Sequence, residues 1–393
     1  MRYIACGLVA NLDLVGHMNQ HFYEEVKVTN PVQPESIIHT WDDFRHAVCW
    51  NKEKGCGAEY IVEDESILNR LEDMLQWQVG IGGTGLQTSY AASYAGYPSI
   101  VNVPIISDEL EHIVKDNLLL NIAVDKKGDT PKHYIIEYSD QGRSNRLIFR
   151  KFNEFTSDLI TDSFVRQTKE FSCDWLLLSG YHVIDNAEDI NKALKSTIEF
   201  LESIRSEKLK VHLELASIWS LNEQWKIIEK LRPYVDSIGL NEEEFAELIG
   251  LKKQLLILND VDLLEEVEAG YSIIKISNLI LHTKQFSLVM SKDNHVIYWA
   301  NALESGNKLA FSRAVKGDFC NREEFEQITF NASRSDRGIR LREFVKDREN
   351  IIIQPGFVGE TVSTIGLGDT FTAGLLAQAP SILPKYKKDQ SEN

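Results

Sequence analysis

Near the C-terminal end, Gly366-Leu367-Gly368-Asp369 places an acidic residue behind two glycines, and the apolar run Phe371 to Ala377 that follows reads as a buried helix. Chain with so little side-chain bulk lets several backbone N–H groups converge on one point, where the helix adds the positive end of its dipole. That is a place for an anion. A carboxylate at Asp369 could take a proton from a hydroxyl as that hydroxyl attacks phosphorus, so Ser363 to Gly374 reads as a phosphoryl-transfer site. A bare GxGD also suits a plain strand-to-helix turn with Asp as N-cap; the reading therefore rests on what accompanies it.

Two acidic clusters do. Asn241-Glu242-Glu243-Glu244 follows a strand-like run, Ser237 to Leu240, and opens a helical pattern, so Asn241 is placed to cap it and Glu244 to point the same way one turn on. His212-Leu213-Glu214 lies in another strand-like run, where residues two apart share a face and buried polar groups need partners. Acidic side chains beside a phosphate site suit a magnesium ion, Mg²⁺, held mostly through water; a capping network would satisfy them equally. A third feature, Gly80 to Gly85, precedes a small-residue helix, Leu86 to Ala95. It lacks the Lys of a Walker A loop and follows a helical pattern, not a strand, so neither nucleotide fingerprint applies. It could hold sugar hydroxyls or a phosphate, or simply pack the helix tightly.

The elements that must position these groups change character along the chain. Tyr3 to Val9 reads as a buried strand ending in the polar Asn11-Leu12-Asp13. Tyr23 to Val28 alternates like a half-exposed strand, Thr40 to Lys54 reads as a helix stopped by Gly55, and Tyr60 to Val62 is a strand with Glu59 at its start. Asp64 to Gln78 is helical, and Ser99 to Ile106 is strand-like. His133 to Tyr138 and Leu147 to Phe152 form a hairpin around the turn Ser139 to Asn145. From about Asp162 strands and helices alternate regularly: Trp175 to Leu178 with Ser179 to His182 after it, then Ala187 to Ser206, Lys210 to Leu215 with Ala216-Ser217, Leu221 to Leu231 and Lys275 to Leu281. Phe286 to Met290 and His295 to Trp299 read as later strands, and the tail beyond Pro380 as frayed. The pattern predicts an α/β fold with a parallel sheet between two helical layers, plus a small β-rich lid. The division expected is 1–13, 63–98 and 161–393 for the large nucleotide-binding domain and 14–62 with 99–160 for the lid, which should close over the cleft to exclude water.

Length and composition set the class. The chain has 393 residues, 43% hydrophobic and 26% charged, ordinary for a globular enzyme with a large and a small domain. A net charge of -17 argues against a nucleic-acid or anionic-membrane surface. The odd set of Cys6, Cys49, Cys56, Cys173 and Cys320 contains no CxxC pair, so a reducing, cytoplasmic setting without a disulfide framework or zinc site is expected. Met1 to Ala10 is broken by Asn11 and Asp13 and is read as a strand, not a signal peptide; no run is long enough to span a membrane.

Val211 to Ser217, Ser237 to Glu244, Ile280-Leu281-His282-Thr283 and Thr364 to Asp369, in that order, resemble the motifs of the ADP-dependent glucokinase and phosphofructokinase family, a branch of the ribokinase-like superfamily. Asn11-Leu12-Asp13, Gly57-Ala58-Glu59, Gly82-Gly83, Asn145-Arg146 and Leu178 to His182 fall where that family has its strand, lid and sugar motifs, so the likeness covers nearly the whole chain. The resemblance implies a ribokinase-like three-layer α/β/α sandwich with a smaller β-rich lid. It also implies transfer of the β-phosphoryl of ADP to a sugar hydroxyl with release of AMP, in a monomer. By the same resemblance Asp369 is the general base, and Gly366 to Gly368 the anion hole. Arg146 reaches the transferring phosphoryl from the lid. Asn241, His282, Ile365, Gly366, Leu367 and Gly368 face the nucleotide, and Glu214, Glu244 and Asp369 organise Mg²⁺. Asn11, Asp13, Glu59, Gly82, Gly83, Thr84 and His182 hold the sugar.

One position departs from the pattern: after the paired glycines the family has Asn or Gln followed by Ala, where this chain has Thr84-Gly85. Thr is shorter and has no amide, so the sugar contact there is expected to differ or be lost. His182 is reminiscent of the glucokinase side, and the lid shows no basic cluster assignable to a sugar 6-phosphate, so glucose is favoured. An ADP-dependent phosphofructokinase, an ATP-dependent ribokinase-like kinase of sugars or nucleosides, and a non-catalytic sugar or nucleotide sensor are the alternatives.

Overall fold

The structure is a computed structural model that describes residues 2–140, 143–155, 159–204, 206, 208–216, 218–292, 296–363 and 365–380. Ser217, His295, Thr364, two residues of the turn between Ser139 and Asn145, and the tail beyond Pro380 lie outside the described residues.

Two sheets organise the chain. The larger has nine strands in the order Ile351–Pro355, Phe286–Ser291, Asn278–His282, Ser237–Asn241, Lys210–Glu214, Cys173–Leu178, Tyr3–Gly7, Ser99–Asn102 and Leu120–Ala123. Neighbouring strands are parallel except at Phe286–Ser291, which runs against both of its neighbours. Both faces are buried. Along Cys173–Leu178, Leu176 and Leu178 enter one apolar core while Trp175 and Leu177 enter the other, and Leu279 and Leu281 part from Ile280 in the same way. Side chains that alternate between two apolar cores need helices on both sides, which gives the three-layer α/β/α sandwich.

The second sheet has six strands: Ile37–Ile38, Ala58–Val62, Arg143–Lys151, Lys132–Asp140, Asn11–His17 and Gln78–Gly82. Among the described residues one of its pairings is a hairpin, Lys132–Asp140 with Arg143–Lys151; of the other four pairs, three are parallel.

Several expectations are corrected here. Ser99–Asn102 and Leu120–Ala123 belong to the nine-stranded sheet, not with the lid. Ser99–Asn102 is buried throughout, with Ile100 in one core and Val101 in the other, as a two-sided strand requires. Conversely Asn11–His17 and Gln78–Gly82, assigned wholly or partly to the large domain, pair in the small sheet, so Asn11 and Asp13 sit within a strand and the glycine run follows a strand. Gln20–Val26 is a helix, not a strand. Asn19 caps it by accepting from the Phe22 N–H at 2.8 Å, and Phe22 and Val26 are buried at a spacing of one helical turn. Val296–Trp299 is a 3₁₀ turn: Val296 and Trp299 point inward, Ile297 and Tyr298 outward, and Trp299 meets Trp175 edge-on at 5.7 Å. The helix Trp41–Lys54 forms as expected, with Thr40 and Asp43 in a capping box and Gly55 as its left-handed end.

Candidate active site

Glu214, Asn241 and His282 end three adjacent parallel strands of the large sheet, in register as Glu214 with Gly239 and Asn241 with His282. Polar groups thus gather at the carboxyl edge, where open α/β sheets bind ligands. Asn241 caps the helix Glu242–Leu248: its Oδ1 accepts from the N–H groups of Glu243 and Glu244 at 2.8 and 2.9 Å, and Glu244 Oε2 accepts from the Asn241 N–H at 2.9 Å. Glu214 Oε1 accepts from Thr372 Oγ1 at 2.8 Å and lies 3.0 Å from His212 Nε2, whose other ring nitrogen meets Ser237 Oγ at 2.8 Å. Burial would raise the Glu214 carboxyl, but the hydrogen bond and charge of His212, with His282 and Thr372, outweigh it and hold it below the usual range.

The Gly366 turn stands across from these strand ends. Gly366 is the N-cap of the helix Leu367–Gln378 at φ 63°, and no side chain caps that terminus. A Cβ at Gly366 would meet the Arg313 guanidinium at 2.6 Å, so the position needs glycine for space as well as for conformation. The first turn therefore has N–H groups without an intrahelical partner, suited to an anion. Asp369 lies in that turn. Burial lifts its carboxyl above the ordinary value; Arg313, a hydrogen bond from the Thr84 side chain and Arg146 oppose the rise, and the Glu214 charge adds to it.

Arg313 had no place in the sequence reading. Its side chain is buried, Nη1 donates to the Gly366 carbonyl at 3.0 Å and to Thr370 Oγ1 at 2.7 Å, and the guanidinium lies 4.1 Å from the Phe319 ring centre. It comes from the helix Ala300–Lys316, more than fifty residues from the turn it holds. Its only sequence signal was a basic residue on a helix face that is otherwise apolar.

A cleft of about 880 Å³ opens beside the turn, lined by Asn241, His282, Leu367 and Gly368 together with Phe311, Arg337 and Phe357. The His282 ring stacks on Phe371 at 4.8 Å. Gly366 faces Arg313, and Ile365 donates its N–H to Ser363 Oγ at 3.3 Å.

On the other side of Asp369 the small sheet supplies a polar cluster. Asn11 Nδ2 donates to Asp13 Oδ1 at 2.7 Å, and a side chain at Gly82 would collide with both residues, so the glycine lets the two strands carry them side by side. Burial holds Asp13 up at about 6, against the pull of His133, Asn11 and Arg146 and with the added charge of Asp369. Deeper in the small sheet, fully buried Arg150 donates from Nε to Glu59 at 3.0 Å and from Nη2 to Asp185 at 2.6 Å and to the His182 carbonyl at 3.4 Å. His133 Nε2 lies 2.6 Å from Glu154. Burial, only partly offset by the Glu59 charge, pushes His182 down to about 4, so its ring is neutral, and its Nδ1 has no partner. The Glu59 carboxyl is desolvated, yet the nearby His182, Arg150 and His133 bring it below the usual range. The structure sets Glu59 and the His182 carbonyl on the same guanidinium, Arg150, with Asp185 beside them and His133 and Glu154 nearby. An arginine directly after the fully buried Phe149 of a strand was the available signal, because a buried guanidinium demands carboxylates.

Three carboxylates, Glu214, Glu244 and Asp369, lie close enough for their charges to act on one another. Burial and the charges of the other two, with Glu242, lift Glu244 to about 8 despite the Asn241 N–H. Oxygen donors under mutual repulsion suit a hard divalent cation. Among the described residues, however, no group of three His, Cys, Asp or Glu stands close enough to ligate one ion directly. The set fits a hydrated ion held through its waters, not a cage of direct ligands.

This architecture and site define a class. The conserved-region model of the ADP-specific phosphofructokinase/glucokinase family matches residues 2–378. The chain therefore belongs to that family, and is a kinase of the ADP-dependent sugar class. It is 26% identical over 319 residues to the ADP-specific phosphofructokinase of Pyrococcus abyssi, which spans 74% of this chain and 70% of that protein. To the ADP-dependent glucose/glucosamine kinase of the same organism it is 23% identical over 387 residues, 86% and 83% of the two chains. The chain spans about half the length of several further phosphofructokinase relatives. Among solved structures, an ADP-dependent kinase complex with fructose-6-phosphate and ADPbetaS superposes with a TM-score of 0.77 at 19% identity, covering 95% of this chain and 93% of that one. No helix among the described residues is long and apolar enough to cross a membrane.

Proposed function

We propose that the protein transfers the β-phosphoryl of ADP to a hydroxyl of an unphosphorylated sugar, glucose being favoured, and releases AMP. The observation that carries this reading is the position of Asp369. Its helix start contributes Leu367 and Gly368 to the large cleft, while its carboxylate feels Asp13 and Arg146 of the small sheet. A base there has the donor on one side and the acceptor on the other. Asp369 takes the proton of the attacking hydroxyl, the free N–H groups after Gly366 receive the phosphoryl oxygens, and Arg146 neutralises charge from the lid side. Asn241, His282, Leu367 and Gly368 line the nucleotide's place. Glu214, Glu244 and Asp369 hold Mg²⁺ through water, and the ion, when bound, supplies positive charge to the phosphate oxygens.

Charge supports a neutral acceptor. Asp13, Glu59, Glu154 and Asp185 gather at the sugar end, where buried Arg150 pairs with three of them and His133 with Glu154, while Arg146 acts on Asp13. A sugar phosphate would bring two more negative charges to this place, whereas a neutral sugar offers hydroxyls to the carboxylates. The second reading, an ADP-dependent phosphofructokinase, is favoured by the name of the 26% identical relative.

A donor-by-acceptor panel tests both: ADP or ATP, with Mg²⁺, against glucose, glucosamine and fructose 6-phosphate, with AMP and ADP as readouts. AMP from ADP with glucose supports the proposal. Turnover of fructose 6-phosphate with glucose inert establishes the second reading, and turnover with ATP alone overturns both.

A further inference from the structure

Fully buried Arg150 keeps carboxylates beside it, and the less buried Arg334 and Arg337 have Glu304 and Asp260. Arg313 differs. It is only 7% exposed, yet among the described residues no carboxylate forms an ion pair with it. A cation withdrawn from water without an anion is costly, so its place needs a reason. What Arg313 holds is one carbonyl: Nη1 donates to the Gly366 oxygen at 3.0 Å and to Thr370 Oγ1 at 2.7 Å. The same Gly366 oxygen also accepts from the Thr370 N–H at 3.0 Å and from Thr370 Oγ1 at 2.7 Å.

The guanidinium is fixed where it stands. A Cβ at Gly366 would lie 2.6, 2.8 and 2.9 Å from its Nη1, Nη2 and Cζ, so the group rests against the bare Cα of the glycine, and the Phe319 ring centre is 4.1 Å away. The Gly366 carbonyl and the Leu367 N–H belong to one peptide, and a planar trans peptide points the two in opposite directions. Holding the carbonyl therefore aims the Leu367 N–H away from Arg313 and out of the helix start, where Leu367 lines the large cleft. A cation on the carbonyl also polarises the peptide, which makes its N–H a stronger donor.

We infer that Arg313 is a positioning residue for phosphoryl transfer: through the Gly366–Leu367 peptide it sets the direction and strength of the first N–H of the anion hole, and the phosphoryl oxygens received there answer its unpaired charge. The inference rests on the reading of this turn as the phosphoryl site. A donor fixed in advance costs no reorganisation as charge shifts during transfer, so losing it costs rate more than sugar affinity.

The test is steady-state kinetics, with ADP and the sugar the panel shows accepted, of Arg313→Met, which keeps bulk but removes charge and donors, beside Arg313→Lys, which keeps the charge without the planar fork. Thermal melts confirm that the variants compared are folded. The expected kcat is about tenfold to a hundredfold lower for Arg313→Met, with the sugar KM within about twofold, and intermediate for Arg313→Lys. Calorimetric titration adds a readout that a purely structural role would not move. AMP alone should bind Arg313→Met as it binds wild type, while AMP with aluminium fluoride and sugar, a mimic of the phosphoryl group in transfer, should bind about tenfold more weakly. Wild-type kcat in folded Arg313→Met overturns the inference, as does a loss confined to KM, a Lys variant no better than Met, or an undiminished fluoride complex. If only Arg313→Lys folds, a kcat lowered by about threefold or more at unchanged sugar KM supports the inference, and wild-type kcat overturns it. The two levels separate in the wild type: if it releases no AMP from ADP, the kinase reading fails and this inference with it, whereas an active wild type matched by an equally active Arg313→Met overturns the inference alone.

Discussion

The two ends of the cleft are built by opposite means. At the phosphoryl end part of the network closes within one helical turn, as Asn241 and Glu244 do and as Thr370 Oγ1 does on the Gly366 carbonyl, with longer ties added by Arg313 and by Thr372 on Glu214. At the sugar end, Arg150 gathers Glu59 from 91 residues before it and Asp185 from 35 residues after it. Local satisfaction of backbone groups leaves a short motif; satisfaction of a buried cation leaves single residues scattered over the chain. The first kind of site, as at the Asn241 capping box, tolerates change in its surroundings because the cap is complete by itself. The second stands or falls as a cluster.

The sharpest contrast comes from removing one group at each end. Asp369→Asn keeps size and much of the hydrogen bonding, so sugar and nucleotide binding and the melting temperature should hold while kcat falls by about 10² to 10⁴. Arg150→Met should do the reverse in kind. It leaves Glu59, Asp185 and Glu154 facing one another without their cation, and loss of one partner from a buried ionic cluster typically costs about 3 to 5 kcal/mol. Urea unfolding should register this as a lower midpoint at an unchanged slope. If Arg150→Met unfolds at the wild-type midpoint, the cluster is slack and the proposed division between the ends is wrong.

That division also explains what could be read beforehand. The GLGD turn, the Asn241 cap and the His212/Glu214 pair lie at strand ends in the regular half, where strand–helix alternation fixes which residues face the cleft. The nine-stranded sheet was accordingly legible, apart from Ile351–Pro355, which the pattern did not single out, and Ser99–Asn102 and Leu120–Ala123, which follow strands of the small sheet in the chain and were grouped with the lid. The small sheet was not legible as a sheet. Its parallel pairs, Leu12 with Lys132 and Ala58 with Leu147, join segments some 90 to 120 residues apart. Alternation could reveal its hairpin but not those pairings, and helical Gln20–Val26 was mistaken for a strand because seven residues hold too few turns to separate periods of two and 3.6. Arg313 and Arg150 were missed for one reason: a basic residue in an apolar stretch does not show which distant partners it will meet.

A smaller effect probes the cation. Glu214→Gln and Asn241→Ala should each raise the Mg²⁺ concentration for half-maximal rate by roughly tenfold to a hundredfold, the usual scale for outer-shell groups, with the fold intact. Titration of activity against free Mg²⁺ checks it. Glu214 serves His212 and Thr372 as well, so its variant should lose some stability while Asn241→Ala loses only a helix cap, of about 1 kcal/mol. An unchanged metal requirement in both would make them structural residues, serving only the Asn241 cap and the His212 and Thr372 contacts of Glu214.

The smallest effect lies where the two ends meet, at Asp13. Its carboxyl is held at about 6 instead of 3.8, chiefly by burial, with Asp369 adding and His133, Asn11 and Arg146 opposing. A raised folded-state pKa means that the fold prefers the protonated acid: this contribution to stability is full below about pH 4 and lost as pH rises through about 6, on the order of 3 kcal/mol in all. Binding of a sugar hydroxyl draws on the other form. If Asp13 accepts that hydroxyl's proton in a hydrogen bond, the empty protein must first ionise it, so sugar affinity should be level above about pH 6 and weaken by about tenfold per unit below it. Burial opposes charge on His133, but Glu154 beside it, with Asp13 and Glu59, holds its ring toward the positive form, which favours the Asp13 carboxylate, so it does not produce the loss. Calorimetric titration with glucose from pH 7.5 to 5 reads the profile, and Asp13→Asn should bind weakly with no break. A wild-type profile without a break near 6 would mean that Asp13 serves the Asn11 amide and not the sugar, and would move the acceptor's place toward Glu59 and His182.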